Sequence, residues 1–201
     1  GQPLTAAGAS ISKTIEHLGG NPEEPFVIFP EVQKLYAERR IELEKIVAKR
    51  KAEQFAWEKE NPGKAILLHQ YFSGKVPDID YKSIVHKPDV ATRVASSDVL
   101  GVFGEQIGNM IVSSADLANS DKTDGFLKKT HAFINGDFTG AFLQAGVSEL
   151  TMAAIMNGMA LHGGIIPACG TFFVFSDYMK PAVRLAALME VPVKYVWTHD
   201  A

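Results

Sequence analysis

Cysteine is nearly missing from this chain. Cys169 is the only one in 201 residues, which excludes an internal disulfide and fits a reducing compartment such as the cytoplasm. Beside Gly170 it reads as a packing residue rather than a reactive thiol. Excess charge is missing too. The net charge of -3 gives no electrostatic footprint for nucleic acid or for an anionic membrane. No apolar run free of Gly and Pro is long enough to cross a bilayer, and no signal-peptide pattern opens the chain. The phosphate loop G-x-x-x-x-G-K-[ST] and the zinc motif H-E-x-x-H are absent. The six histidines show no metal-ligand spacing, so no metal ligand is assigned. The string GVSEL is not a nucleophile elbow, because Leu150 stands where the last glycine belongs. There is no internal repeat and no low-complexity segment. What is left, 46% hydrophobic and 21% charged, is an ordinary globular balance for one domain or one domain with an appendage.

Residues 1–30 are punctuated by Gly and Pro. SKTIEHLGG predicts a short helix with Ser12 as its cap, and NPEEPFVIFP predicts extended chain, since proline disfavours helix. Residues 31–60 carry apolar side chains on a 3.6-residue period among seven acidic and eight basic residues. They predict a long, mostly solvated helix that packs one stripe, ended by NPG. Residues 63–91, with Pro77 and Pro88 and no period, read as a linker. From residue 92 helices and strands alternate. Strands are expected around Met110–Val112, in DFTGAFLQAG, in GTFFVFSD and in VKYVW. Helices are expected in TRVASSDVLGVFGEQIG, SELTMAAIMNGMALHGG and DYMKPAVRLAALMEV, the last capped by Ser176 or Asp177. This predicts an α/β fold, a parallel sheet with helices on both faces, preceded by the long helix and linker. Ligands of such sheets bind beyond the carboxyl ends of the strands.

One charge stands out by its isolation. Between Phe138 and Ser176 the only Asp, Glu, Lys or Arg is Glu149. An unpaired carboxylate in apolar surroundings costs several kcal/mol. Glu149 therefore either caps its helix, reaches water or a partner, or has its proton affinity put to use. The helix N-terminus favours the anion and desolvation favours the acid. The aromatic set Phe172, Phe173, Phe175 and Tyr178 packs a core or clamps a flat heterocycle. As a strand it would place Phe173 and Phe175 on one face and Phe172 on the other. His199 follows a strand and is the better functional candidate of the histidines; His162 ends a helix.

The blocks SSADLANS, GAFLQAGVSELTMAAIMNGMALHGG, CGTFFVFSDYMKPAVRLAALM and VPVKYVWTHD closely resemble the pyrimidine-binding domain of transketolases. GQPLTAAGAS and TIEHLGG resemble the end of the same family's diphosphate-binding domain. The resemblance implies a tail of that domain at 1–30, a helix and interdomain linker at 31–90, and a pyrimidine-binding α/β domain at 91–201. It implies thiamine diphosphate as cofactor, with Mg or Ca held by residues outside this chain. It also implies transfer of a two-carbon ketol unit between sugar phosphates in the pentose phosphate pathway, by a cytoplasmic homodimer with the cofactor at the subunit interface.

Carried over residue by residue, the resemblance makes Glu149 the glutamate that hydrogen-bonds N1′ of the aminopyrimidine. Phe172, Phe175 and Tyr178 would pack around that ring, with Asp116 and Leu117 near the cofactor across the interface. Arg93, Ser120 and His199 would hold the sugar-phosphate end of the substrate. Many family members have Arg-Glu-His where this chain has Ser148-Glu149-Leu150. The family's G-D-G metal and diphosphate motif is absent. Both ends read as cut: a catalytic histidine is expected just before Gly1 and G-E-D-G-P-T-H-Q just after Ala201. The chain alone is therefore expected to be inactive, and its unpaired sheet edge to favour self-association. Another thiamine-diphosphate synthase, or a non-catalytic binding or assembly module, are the alternatives.

Overall fold

A computed structural model describes residues 6–200; the start of the expected domain tail at residues 1–5 and the expected end of the α/β domain at residue 201 lie outside the described residues. The chain divides into two compact units, residues 1–61 and 62–201.

In the first unit, helix α1 spans Ile11–His17. Its cap is Ser10, not Ser12: the Lys13 amide donates to Ser10 Oγ at 3.3 Å. Residues 22–26 form turns rather than extended chain, as in Glu24 N–H to Asn21 O at 3.0 Å. Pro30 then opens α2, Pro30–Glu60, using the N-terminal position where proline's missing N–H costs nothing. The 31-residue helix is laced by i,i+3 and i,i+4 pairs such as Arg40–Glu44 at 2.9 Å and Arg39–Glu42 at 2.6 Å. It buries no residue, so the stripe Leu35, Tyr36, Leu43 and Val47 is exposed rather than packed.

The second unit begins with a helix the sequence reading placed in a linker, α3, Pro62–Phe72. Asn61-Pro62 ends one helix and starts the next, since proline is at home in a first turn. Ile79, also in the expected linker, is buried in the core of this unit. Then come α4 (Thr92–Gln106), β1 (Met110–Ser114), a single turn α5 (Asp124–Leu127), β2 (Phe142–Gln144), α6 (Glu149–His162), β3 (Ile166–Thr171), α7 (Ser176–Leu188) and β4 (Lys194–Trp197). The four strands are all parallel, in the order β2-β1-β3-β4.

Adjacent residues of β3 point to opposite faces. Ala168 joins Leu100, Met110, Val112, Phe126 and Phe142 beneath α4 and α5. Cys169 joins Met152, Met156, Met179 and Ala182 beneath α6 and α7. Side chains buried as fully as Phe126, Phe142, Met152 and Met179 each contribute roughly 1.5–3 kcal/mol by leaving water.

Two boundaries differ from expectation, and both bear on the site. The third strand is IPACGT, ending at Thr171. Phe173–Phe175 form a single 3-10 turn, closed by Phe175 N–H to Phe172 O at 3.1 Å. Aromatic residues favour strands only where a sheet surface is there to receive them. α7 is capped by neither Ser176 nor Asp177: both are helical, and the cap position is Phe175, with no side-chain bond. Asp177 pairs with Lys180 at 2.6 Å.

Burial pushes the Cys169 thiol up to about 12, with Asp121 adding a smaller push. The native thiol should therefore resist alkylation at pH 8 and react only on unfolding, as mass spectrometry after iodoacetamide treatment would report. Its folded pKa lies above the ordinary 9.0. The associated stability is therefore present below about pH 9 and is lost as pH rises toward 12. Cys169→Ala should remove that part of the alkaline slope in stability.

Candidate functional site

The chain leaving β1 runs to β2 at one edge, and the chain leaving β3 runs the other way to β4. In open parallel sheets such a reversal marks where ligands bind, beyond the carboxyl ends of the strands on either side of it, here β1 and β3. Asp116, Leu117 and Ser120 sit on the segment that leaves β1, Phe172, Phe175 and Tyr178 on the one that leaves β3, Glu149 follows β2, His199 follows β4 and Arg93 begins α4.

Glu149 is the first residue of α6, reached from β2 through Gly146, whose φ of +65° suits glycine. The Ser148 hydroxyl turns back and donates to Ala145 O at 2.6 Å instead of capping the helix. Glu149 is only 7% exposed. Among the described residues its carboxylate has no hydrogen bond or ion pair, so it does not cap the helix. Neither of its oxygens is among the fully sealed orphan atoms, so the group retains a narrow opening to solvent. A sheltered, partnerless carboxylate of this kind can exchange a proton with a ligand that brings its own nitrogen.

Beyond β3 the 3-10 turn runs straight into α7, and its three-residue spacing puts Phe172, Phe175 and Tyr178 in one row. The rings of Phe172 and Phe175 are 5.7 Å apart at 9°, and those of Phe175 and Tyr178 are 6.0 Å apart at 22°. Phe173 is exposed and stands outside this row. The outer ring, Tyr178, is 62% exposed, so the row presents an aromatic edge to solvent.

The inner ring reaches a second set of residues. Phe172 and His199 lie 4.5 Å apart at 60°, and His199 Nε2 hydrogen-bonds Arg93 Nη1. Arg93, at the start of α4, and His199, after β4, line a cleft of about 410 Å³ with Ser96, Trp197 and Thr198. Arg93 Nε is buried with no partner. A guanidinium with an unused, desolvated N–H at the edge of a cleft is suited to an incoming oxyanion.

Asp116 and Leu117 lie beyond β1. Asp116 holds φ +62°, a left-handed conformation that Asp tolerates better than most residues. It lines a separate cleft of about 240 Å³ with Ser114, Asn119, Phe142 and Gln144. Ser120 is not among the residues lining that Arg93–His199 cleft; its hydroxyl donates to Asn119 Oδ1 at 3.3 Å. The sequence reading missed Thr171, whose hydroxyl is buried and unpartnered at the end of β3. It also missed Asp121, which is buried beneath the β1 loop. A carboxylate five residues beyond the Asp116 already marked was the available signal for Asp121.

Among the described residues no group of three His, Cys, Asp or Glu could hold a metal ion, and no helix is long and apolar enough to cross a membrane.

Comparison with known proteins gives one consistent result. The family model described as the transketolase pyrimidine binding domain matches residues 88–201. The transketolase of Geobacillus stearothermophilus is 40% identical over 208 residues, which covers the whole chain and 30% of that protein. The transketolase of Bacillus subtilis is 39% identical, with the same coverage. Among solved structures, the transketolase of Leishmania mexicana superimposes with a TM-score of 0.78 at 30% identity, covering 95% of this chain and 29% of that one. A Pichia stipitis transketolase complexed with sedoheptulose 7-phosphate gives 0.78 at 35% identity, with the same coverage. The chain thus spans about 30% of the length of the curated relatives it matches.

Proposed function

From the premise that this chain belongs to the transketolase family, we propose that it forms the pyrimidine-binding part of a thiamine-diphosphate-dependent transketolase. That enzyme would move a two-carbon ketol unit from a ketose phosphate to an aldose phosphate in the pentose phosphate pathway. The observation that carries the reading is Glu149: a buried carboxylate with, among the described residues, no hydrogen bond or ion pair.

The cofactor, when bound, supplies the nucleophilic carbon that accepts and passes on the ketol unit. The residues of this chain prepare the ground for it. Glu149 shares a proton with N1′ of the aminopyrimidine, and a dry site makes that hydrogen bond strong. Phe172, Phe175 and Tyr178 hold the ring flat, and such aromatic contacts are worth about 0.5–1.5 kcal/mol each beyond buried area. Asp116 and Leu117 approach the cofactor from the β1 loop, across the interface of a homodimer. Arg93, Ser120 and His199 take the phosphate of the sugar. The Ser120 hydroxyl is turned toward Asn119, so its part in this requires a turn of that side chain on binding.

The divalent metal and the cofactor's diphosphate are assigned to segments outside this chain, so the 201-residue chain alone is inactive. A lone, reduced cysteine suits the cytoplasm.

The test is to exchange the matching segment of the Geobacillus stearothermophilus enzyme for this chain and follow ketol transfer. In that chimera Arg93→Ala should raise KM for the sugar phosphates roughly 10–100-fold, the worth of hydrogen bonds to a charged group, and change kcat much less. A chimera that folds and binds thiamine diphosphate yet transfers nothing would sink the reading and favour a non-catalytic assembly module.

A further inference from the structure

The mechanism leaves one buried acid unused. Asp121 is 1% exposed and, among the described residues, has no cation beside it. Its charge is met by three hydrogen bonds. Ser114 Oγ donates to Oδ2 at 2.6 Å, and the Thr123 amide and hydroxyl donate to Oδ1 at 2.9 and 2.8 Å. Burial raises its pKa, with a small push from Asp124, while the three hydrogen bonds pull it back. A buried acid is a costly way to fill space, and these bonds show what it does instead.

The serine hydroxyl is engaged on both sides. Its one hydrogen goes to Asp121, so its lone pairs face away, and one of them accepts the Leu117 N–H at 3.2 Å. Leu117 O in turn accepts the amides of Ser120 and Asp121, both at 2.8 Å. The loop that holds Asp116 in its left-handed conformation is therefore closed by bonds that lead back to one carboxylate. The other side of the same group rests on β3. A Cβ at Gly170 would lie 2.5 Å from Thr123 Cγ2 and 3.3 Å from Asp121 Oδ2. Asp121 and Thr123 thus seat the β1 loop on β3, two residues before Phe172.

We propose that Asp121 is a positioning residue. Through the Ser114 hydroxyl it sets the loop 115–120, which carries Asp116, Leu117 and Ser120, and it locks that loop to the strand that leads into the aromatic row. What the loop does rests on the transketolase reading; that Asp121 sets it does not.

The experiment is amide hydrogen exchange by NMR on the full 201-residue chain, without any cofactor, so its outcome is independent of the functional reading. Asp121→Asn keeps the shape but puts an N–H2 where Ser114 needs an acceptor, so the hydroxyl turns its hydrogen elsewhere and loses the fixed direction in which a lone pair meets the Leu117 N–H. Ser114→Ala removes the relay. Each should speed exchange at Leu117 about tenfold or more while Val112 and Ala168 exchange as in the parent chain. The double variant should exchange no faster than the single ones, since both act through one chain of bonds. An unchanged Leu117 rate in either single variant, or effects that multiply in the double, overturns the proposal. Should Asp121→Asn fail to fold, Asp121→Ser, which withdraws the acceptor from Ser114 without adding bulk, takes its place with the same outcomes deciding, because Ser114→Ala also removes the partner of Leu117 itself.

Discussion

Glu149→Gln in the chimeric enzyme should lower ketol-transfer turnover by roughly 100-fold or more, the usual worth of a positioned general acid–base group. Gln has nearly the shape of Glu and keeps a carbonyl oxygen, so the aromatic row and the substrate cleft stay as they are. What it loses is the ability to trade a proton with a ring nitrogen. KM for the sugar phosphates should therefore move little and kcat a great deal, the pattern of a lost transition-state contribution rather than lost binding. A second readout keeps the result interpretable. Among the described residues the Glu149 carboxylate is buried without a partner, so neutralising it should leave the melting temperature equal or higher, because functional groups are often held against the interest of stability. Turnover within a few-fold of the parent enzyme, or a collapse in melting temperature with the loss of turnover, would each contradict the assigned role.

Gly125→Ala should be among the most damaging single methyl additions in the α/β unit. Gly125 is buried in α5. A Cβ there would sit 2.2 Å from Ser97 O and 2.4 Å from Ser97 Oγ. The first of these is backbone of α4, which has no rotamer to give, so the helices must separate. Overpacking of this kind costs about 1–3 kcal/mol, a drop in melting temperature of about 2–10 °C at this chain length. The effect should also reach the site. Ser97 lies one turn along α4 from Arg93, so moving that turn shifts the guanidinium away from His199. Gly158→Ala is the control: its Cβ would meet nothing within 4 Å, and in the interior of α6 alanine should stabilise by about 0.5–1 kcal/mol. Equal melting temperatures for the two variants in circular dichroism would show that the close approach of α5 to α4 does not matter.

How far the site was legible in the chain depends on which physical signal each residue leaves. Glu149 could be found because a lone acid in a long uncharged run is costly wherever it is put, so the run itself asks for a reason. The strand-and-helix alternation after residue 92 was legible for the same kind of reason, since a parallel sheet needs apolar cover on both faces. The aromatic row was misplaced, because Phe172–Phe175 have the composition of a strand. Only the early end of β3 at Thr171 gives them the three-residue spacing that lines up Phe172, Phe175 and Tyr178. The helix Pro62–Phe72 was hidden by a proline that reads as a stop from one side and a start from the other. Asp121 left only the faint mark of a carboxylate five residues beyond Asp116.

By itself, then, the order of residues determined the elements that follow from period and composition: an α/β parallel sheet, a long solvated helix before it, and one acid set apart from all other charge. Tertiary structure alone decided which ends of those elements meet. It brought Arg93 to His199 across 106 positions of chain, laid Asp121 and Thr123 against Gly170, and left Glu149 sheltered without a partner among the described residues. The difference is physical. Period and propensity act between near neighbours and are written in the local string, whereas desolvation, orphaned hydrogen bonds and close backbone approach exist only once distant segments share the same space.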